Sequence, residues 1–82
     1  MARNITVGID VGTRSTRVVV AEYIKDSQHP TILGVGMSTT KGLRHGYITN
    51  QHDAVKSIKT AVLAAENSSK VKIKSAFLSL GG

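Results

Sequence analysis

At 82 residues the chain is one small domain at most, and 40% apolar residues exclude wholesale disorder. The absence of cysteine excludes a disulfide framework and a thiolate zinc site, and no apolar run approaches the roughly 20 residues that span a bilayer. Eleven Lys and Arg against five Asp and Glu leave a net charge of +6, which raises the question of nucleic acid without answering it.

The first strand is expected where Ile5, Val7 and Ile9 alternate with Thr6, Gly8 and Asp10, the period-2 signal of one buried face. Val11-Gly12-Thr13 interrupts that run with a glycine tolerant of positive φ. From about Thr16 to Ile24 a second strand is dense in β-branched Val18, Val19 and Val20. The polar stretch from Lys25 to Pro30 is a turn, and Thr31 to Met37 is a third strand in which Gly34 and Gly36 allow close backbone approach. Short connections make these three an antiparallel meander.

Ser38 to Tyr47 reads as a loop punctuated by Gly42 and Gly46, with a short extended piece at Ile48. A helix follows, with Asn50 as N-cap and Asp53 placed to reach back in a capping box. Its apolar stripe is Val55, Ile58, Val62 and Ala65, with Ala54 and Ala61 beside it, and Asn67-Ser68-Ser69 ends it. Ile73 to Leu80 forms the last strand, reached by a right-handed crossover. Lys56, Lys59, Lys70, Lys72 and Lys74 are spread over the helix and the loop after it. No aromatic residue is interleaved with them for stacking bases, so they are read as solvated surface, with no nucleic-acid partner. The start, Met1-Ala2-Arg3-Asn4, lacks the apolar stretch of a signal peptide, so a soluble intracellular chain is expected.

Chemistry concentrates in Ile9-Asp10-Val11-Gly12-Thr13-Arg14-Ser15-Thr16. A carboxylate at the end of a strand is followed by a glycine turn and hydroxyl residues. Successive turn amides form an anion-binding concavity, with Thr13 and Ser15 as hydroxyl donors. Asp10 then holds Mg²⁺ through water, and Arg14 or Arg17 adds positive charge. The same residues also make an ordinary hairpin turn with no ligand. His29, His45 and His52 have no partners completing a metal-ligand set, and no Ser/His/Asp roles can be assigned, so no catalytic residue is named.

Ile9-Asp10-Val11-Gly12-Thr13 resembles the first phosphate-binding motif of the superfamily that unites actin, sugar kinases and heat-shock chaperones. Gly34 to Ser38 and Lys41-Gly42-Leu43-Arg44-His45-Gly46-Tyr47-Ile48-Thr49-Asn50 are similar to the FtsA family of cell-division proteins, as is Lys74-Ser75-Ala76-Phe77-Leu78-Ser79-Leu80-Gly81-Gly82. Two positions depart from that family's pattern: Ser15 stands where a lysine is frequent, and Asn50 where an acidic residue is common.

The resemblance implies an α/β fold, the first part of a ribonuclease-H-like actin-type ATPase subdomain. Its mixed sheet would have order 3-2-1-4 and one crossover helix, with residues 1–82 the N-terminal part of a longer protein. It implies ATP and Mg²⁺ as cofactors, with Gly12, Thr13, Arg14 and Ser15 at the nucleotide and Asp10 at the metal. For the whole protein it implies self-association, a tubulin-like division-ring partner, and a place at the cytoplasmic face of the membrane through segments outside these residues. The 82-residue chain alone is expected to be inactive as an ATPase. A pilus-assembly actin-like ATPase and a sugar or acetate kinase remain open within the same superfamily.

Overall fold

The alternating residues at the start of the chain form β1, Ile5–Val11, in the computed structural model, which describes residues 4–26, 28–44, 47–74 and 77–80. β2 (Ser15–Glu22) pairs antiparallel with β1, from Ile5↔Glu22 to Val11↔Thr16. β3 (Thr31–Thr39) pairs antiparallel with β2 and carries a register shift opposite Val20/Ala21. A two-residue ribbon follows, β4 (Leu43–Arg44) against β5 (Tyr47–Ile48), and then α1, Gln51–Ser69. β6 (Phe77–Leu80) lies parallel to β1, so the main sheet has the order β3-β2-β1-β6.

Several boundaries differ from the sequence expectation. β2 stops at Glu22 rather than Ile24, and Tyr23 and Ile24 are exposed beyond the ladder. β3 continues two residues past Met37 because Ser15 still pairs with Thr39. The loop expected between Ser38 and Tyr47 contains β4, while His45 and Gly46 lie outside the described residues. Ile73 and Lys74 are not in the last strand: the Ile73 amide donates to Glu66 Oε2 at 2.7 Å, which ties the backbone to α1 instead of to β1. Ser75, Ala76, Gly81 and Gly82 are also outside the described residues.

Asn50 is the N-cap, its side chain accepting from the Asp53 amide at 3.0 Å. The reciprocal half of the capping box is not made, because the Asn50 amide donates to the Gly42 carbonyl at 3.1 Å. Asp53 still places an acid in the first turn, where the helix dipole favours it. Lys70 closes α1 in the left-handed region at φ 62°, donating its amide to the Glu66 carbonyl. Gly42, at φ 76°, is the described glycine with positive φ; Gly12 is not in that region.

Val7, Val18 and Val20 form the core with Ala61 and Ala65 of α1, and Ile5, Ile9, Leu33, Val62, Val71 and Ile73 pack around them. The buried line of α1 is Ala54, Ser57, Ala61 and Ala65: the expected Ala54, Ala61 and Ala65 are on it, Ser57 joins them, and the larger residues of the stripe are not. Val55 is exposed, and Ile58 and Val62 are only half-buried. Gly34 and Gly36 cause this shift. A Cβ at Gly36 would collide with the Ala61 carbonyl and the Ala65 amide, and one at Gly34 with the Ser69 backbone. The helix lies so close to β3 that only alanine and serine fit along the contact, and the larger residues are displaced to its flanks. No helix among the described residues is long and apolar enough to cross a membrane.

Candidate phosphate-binding hairpin

The β1–β2 hairpin is fixed on its inner face by Val11, 1% exposed, opposite Thr16, 0% exposed. Its turn is closed by the Gly12 amide donating to the Ser15 carbonyl at 2.9 Å. A Cβ at Gly12 would come within 3.2 Å of that same carbonyl, so glycine suits the tight turn through space rather than through φ. Asp10 is exposed on the opposite face, directly across from Arg17 on β2 and beside Ser79 on β6. Gly12, Thr13 and Ser15 are half-buried, and Arg14 is exposed at the tip.

The donor set suits an anion. Among the described residues, the hydroxyls of Thr13 and Ser15 have no side-chain hydrogen bond, and the amides of Thr13 and Arg14 have no backbone acceptor. Two amides, two hydroxyls and a guanidinium without partners among the described residues therefore belong to one turn, with the Asp10 carboxylate two residues before Gly12, a set of groups whose chemistry suits a phosphate with its counter-cation. A resident metal is a poorer fit, since no group of three His, Cys, Asp or Glu is gathered among the described residues. Asp10 alone suits a Mg²⁺ that arrives on phosphate oxygens and keeps most of its waters. His29 and His52 are exposed and join no such group; His45 is outside the described residues.

Behind the turn lies a set of contacts that the sequence did not flag. The Thr40 amide donates to the Arg14 carbonyl at 3.0 Å, and the Thr16 and Thr40 hydroxyls share a buried hydrogen bond of 2.8 Å. The Lys41 amide donates to Ser57 Oγ at 2.9 Å, Ser57 Oγ donates to the Asp53 carbonyl at 2.9 Å, and Ser38 Oγ donates to the Ser57 carbonyl at 2.6 Å. The available signal was Ser57 between Ala54 and Ala61, a hydroxyl on the small-residue face of the helix. A cavity of about 230 Å³ opens beside these contacts, lined by Ser38, Thr39, Lys41, Asp53, Lys56, Ser57 and Thr60. None of the hairpin residues lines it.

Fold and turn together define the class: an α/β unit whose first hairpin carries an Asp-x-Gly-Thr turn. No family model matches the chain. It is 42% identical over 69 residues to cell division protein FtsA of Enterococcus faecalis, covering 84% of this chain and 15% of that protein. Over all 82 residues it is 40% identical to the FtsA of Borreliella burgdorferi, covering 20% of that protein, and over 80 residues 30% identical to that of Escherichia coli, covering 19%. The chain thus spans a fifth or less of the length of the curated relatives it matches. It belongs to the FtsA family of cell division proteins, as a segment of that length.

Proposed function

We propose that the chain is the N-terminal part of the nucleotide-binding domain of an actin-like cell-division protein, with the β1–β2 hairpin as its first phosphate clasp. The observation that carries this reading is that, in a chain of FtsA sequence, the turn after exposed Asp10 leaves the donors of Thr13, Arg14 and Ser15 uncommitted. Amides of the turn and the hydroxyls of Thr13 and Ser15 donate to phosphate oxygens, and Gly12 lets the turn stay tight. Arg14 supplies the positive charge in place of the lysine frequent in the family at the Ser15 position. ATP brings Mg²⁺, which neutralises phosphate charge, and Asp10 orients the waters around it. β6 parallel beside β1, with α1 in the connection, supports the start of a ribonuclease-H-like subdomain of order 3-2-1-4. For the whole protein the same reading extends to self-association, a tubulin-like division-ring partner at the septum, and membrane attachment through segments outside these residues.

Titration of the chain with Mg·ATP, followed by amide NMR, tests the site. Saturable shifts confined to Gly12–Ser15, losing their Mg²⁺ dependence in Asp10→Ala, are expected. Shifts absent at millimolar Mg·ATP, or identical in Asp10→Ala, would refute it.

A further inference from the structure

We propose that Thr16, Thr40 and Ser57 are positioning residues that hold the β1–β2 hairpin in its anion-accepting shape and couple its occupancy to the first turns of α1. This proposal rests on the phosphate reading of the hairpin.

Within the turn, the Gly12-to-Ser15 bond is the one internal backbone bond outside the ladder, so the shape of Thr13 and Arg14 depends on what grips the turn from outside. Thr40 supplies that grip twice. Its amide takes the Arg14 carbonyl, and its hydroxyl meets that of Thr16, with Thr16 0% and Thr40 8% exposed. Arg14 therefore faces two ways, giving its cationic side chain and amide to the proposed ligand and its carbonyl to Thr40.

Thr40 is in turn held through its neighbours. Lys41 donates its amide to Ser57 Oγ, and Ser38 donates its hydroxyl to the Ser57 carbonyl, so the segment 38–41 is clamped on both sides of Thr40 by one helical residue. Ser57 Oγ spends its single proton on the Asp53 carbonyl and accepts from Lys41 with a lone pair, a role alanine cannot fill. Asp53 is the residue whose amide Asn50 caps, and Asn50 is anchored to Gly42 at the base of the β4–β5 ribbon. Hydrogen bonds, joined by the Thr40–Lys41 peptide link, thus lead from the hairpin tip to the start of α1. The buried hydroxyls of Thr16, Thr40 and Ser57 all have partners, so a shift of Arg14 that pulls on Thr40 either breaks a bond or moves the next link. Coupling of this kind is reciprocal: whatever secures the start of α1 also favours anion binding at the hairpin.

The test combines amide hydrogen exchange without ligand and Mg·ATP titration, on the whole chain. Ser57→Ala is expected to speed exchange of the Thr40 amide, and Thr40→Val that of the Gly12 amide, each about fivefold or more, the scale of one lost hydrogen bond. Both variants should weaken Mg·ATP binding by a similar factor, while Thr40→Ser, which keeps the hydroxyl, should retain wild-type affinity. Thr60→Ala removes a hydroxyl that bonds only within the helix, to the Lys56 carbonyl, and should change neither readout. Unchanged exchange in Ser57→Ala and Thr40→Val would overturn the coupling whatever the ligand does. Faster exchange with wild-type affinity would reduce the three residues to a structural role and equally overturn the proposal. A wild-type chain that shows no response to Mg·ATP would remove the phosphate reading itself, recognisable because the exchange measurements need no ligand, and the positioning role would fall with it.

Discussion

At Gly36 sheet and helix approach until a single methyl group would strike the backbone of α1. The residue is not at positive φ, so the requirement is for space and not for conformation. Gly36→Ala should lower stability by about 1–3 kcal/mol, the usual cost of overpacking, read as a reduced urea midpoint with an unchanged slope. Gly8 is the control, because nothing lies within 4 Å of a Cβ built there, and Gly8→Ala should leave the midpoint unchanged or raise it. The same geometry corrects the expectation for Ile58. It is half-buried, so Ile58→Ala should cost less than the roughly 2–5 kcal/mol of a fully enclosed isoleucine. The glycines themselves announced a close approach in the sequence. What they did to the helix was not legible, because hydrophobic periodicity ranks Val55 above Ala54 and Ser57, whereas a glycine strand selects the smallest residues.

Among the elements, α1 depends on a cap built from two directions. The Asn50 side chain holds the Asp53 amide, and the Gly42 carbonyl holds both the Thr49 amide at 2.8 Å and the Asn50 amide. Asn50→Ala should cost about 0.5–2 kcal/mol. Gly42→Ala should fray the same helix end, since φ 76° strains any side chain and its Cβ would meet the Asn50 carbonyl. Thermal melts followed by far-UV circular dichroism check both, and a Gly42→Ala melt equal to wild type would show that the ribbon does not support the cap. The helix and the β1–β3 meander were readable because their periods extend over many residues. β4 and β5 were not, since two-residue strands have no period, and the displacement of Ile73 from the last strand depends on Glu66, a side chain on another element. The hairpin donors are contiguous in sequence and could be picked out together. Thr16 with Thr40, and Lys41 with Ser57, are 24 and 16 residues apart, and only the folded chain brings them into contact.

For the molecule as a whole, the proposed phosphate clasp is a single hairpin, which would bind phosphate without positioning an attacking water. Purified chain should therefore show no ATP turnover above background, and turnover abolished by Asp10→Ala would contradict this. The larger consequence of the architecture is exposed surface. Much of it is apolar. On the sheet face away from α1, Val35 is 41% and Met37 53% exposed beside half-buried Val19, and Tyr47, Ile48 and Leu63 are exposed elsewhere. Burying such a patch is favourable at about 25 cal/mol per Å², and a sheet edge with no partner strand among the described residues adds a template for strand pairing. The net charge of +6 opposes association through self-repulsion, and salt screens that repulsion. The chain is therefore expected to dimerise, exchange strands or aggregate at high micromolar concentration, and to do so more readily as salt is raised. Met37→Lys places a further cation on the bare face and should shift light scattering toward the monomer. A wild-type chain that stays monomeric at every salt concentration, with a fully dispersed amide spectrum, would show that the apolar sheet face is tolerated in water.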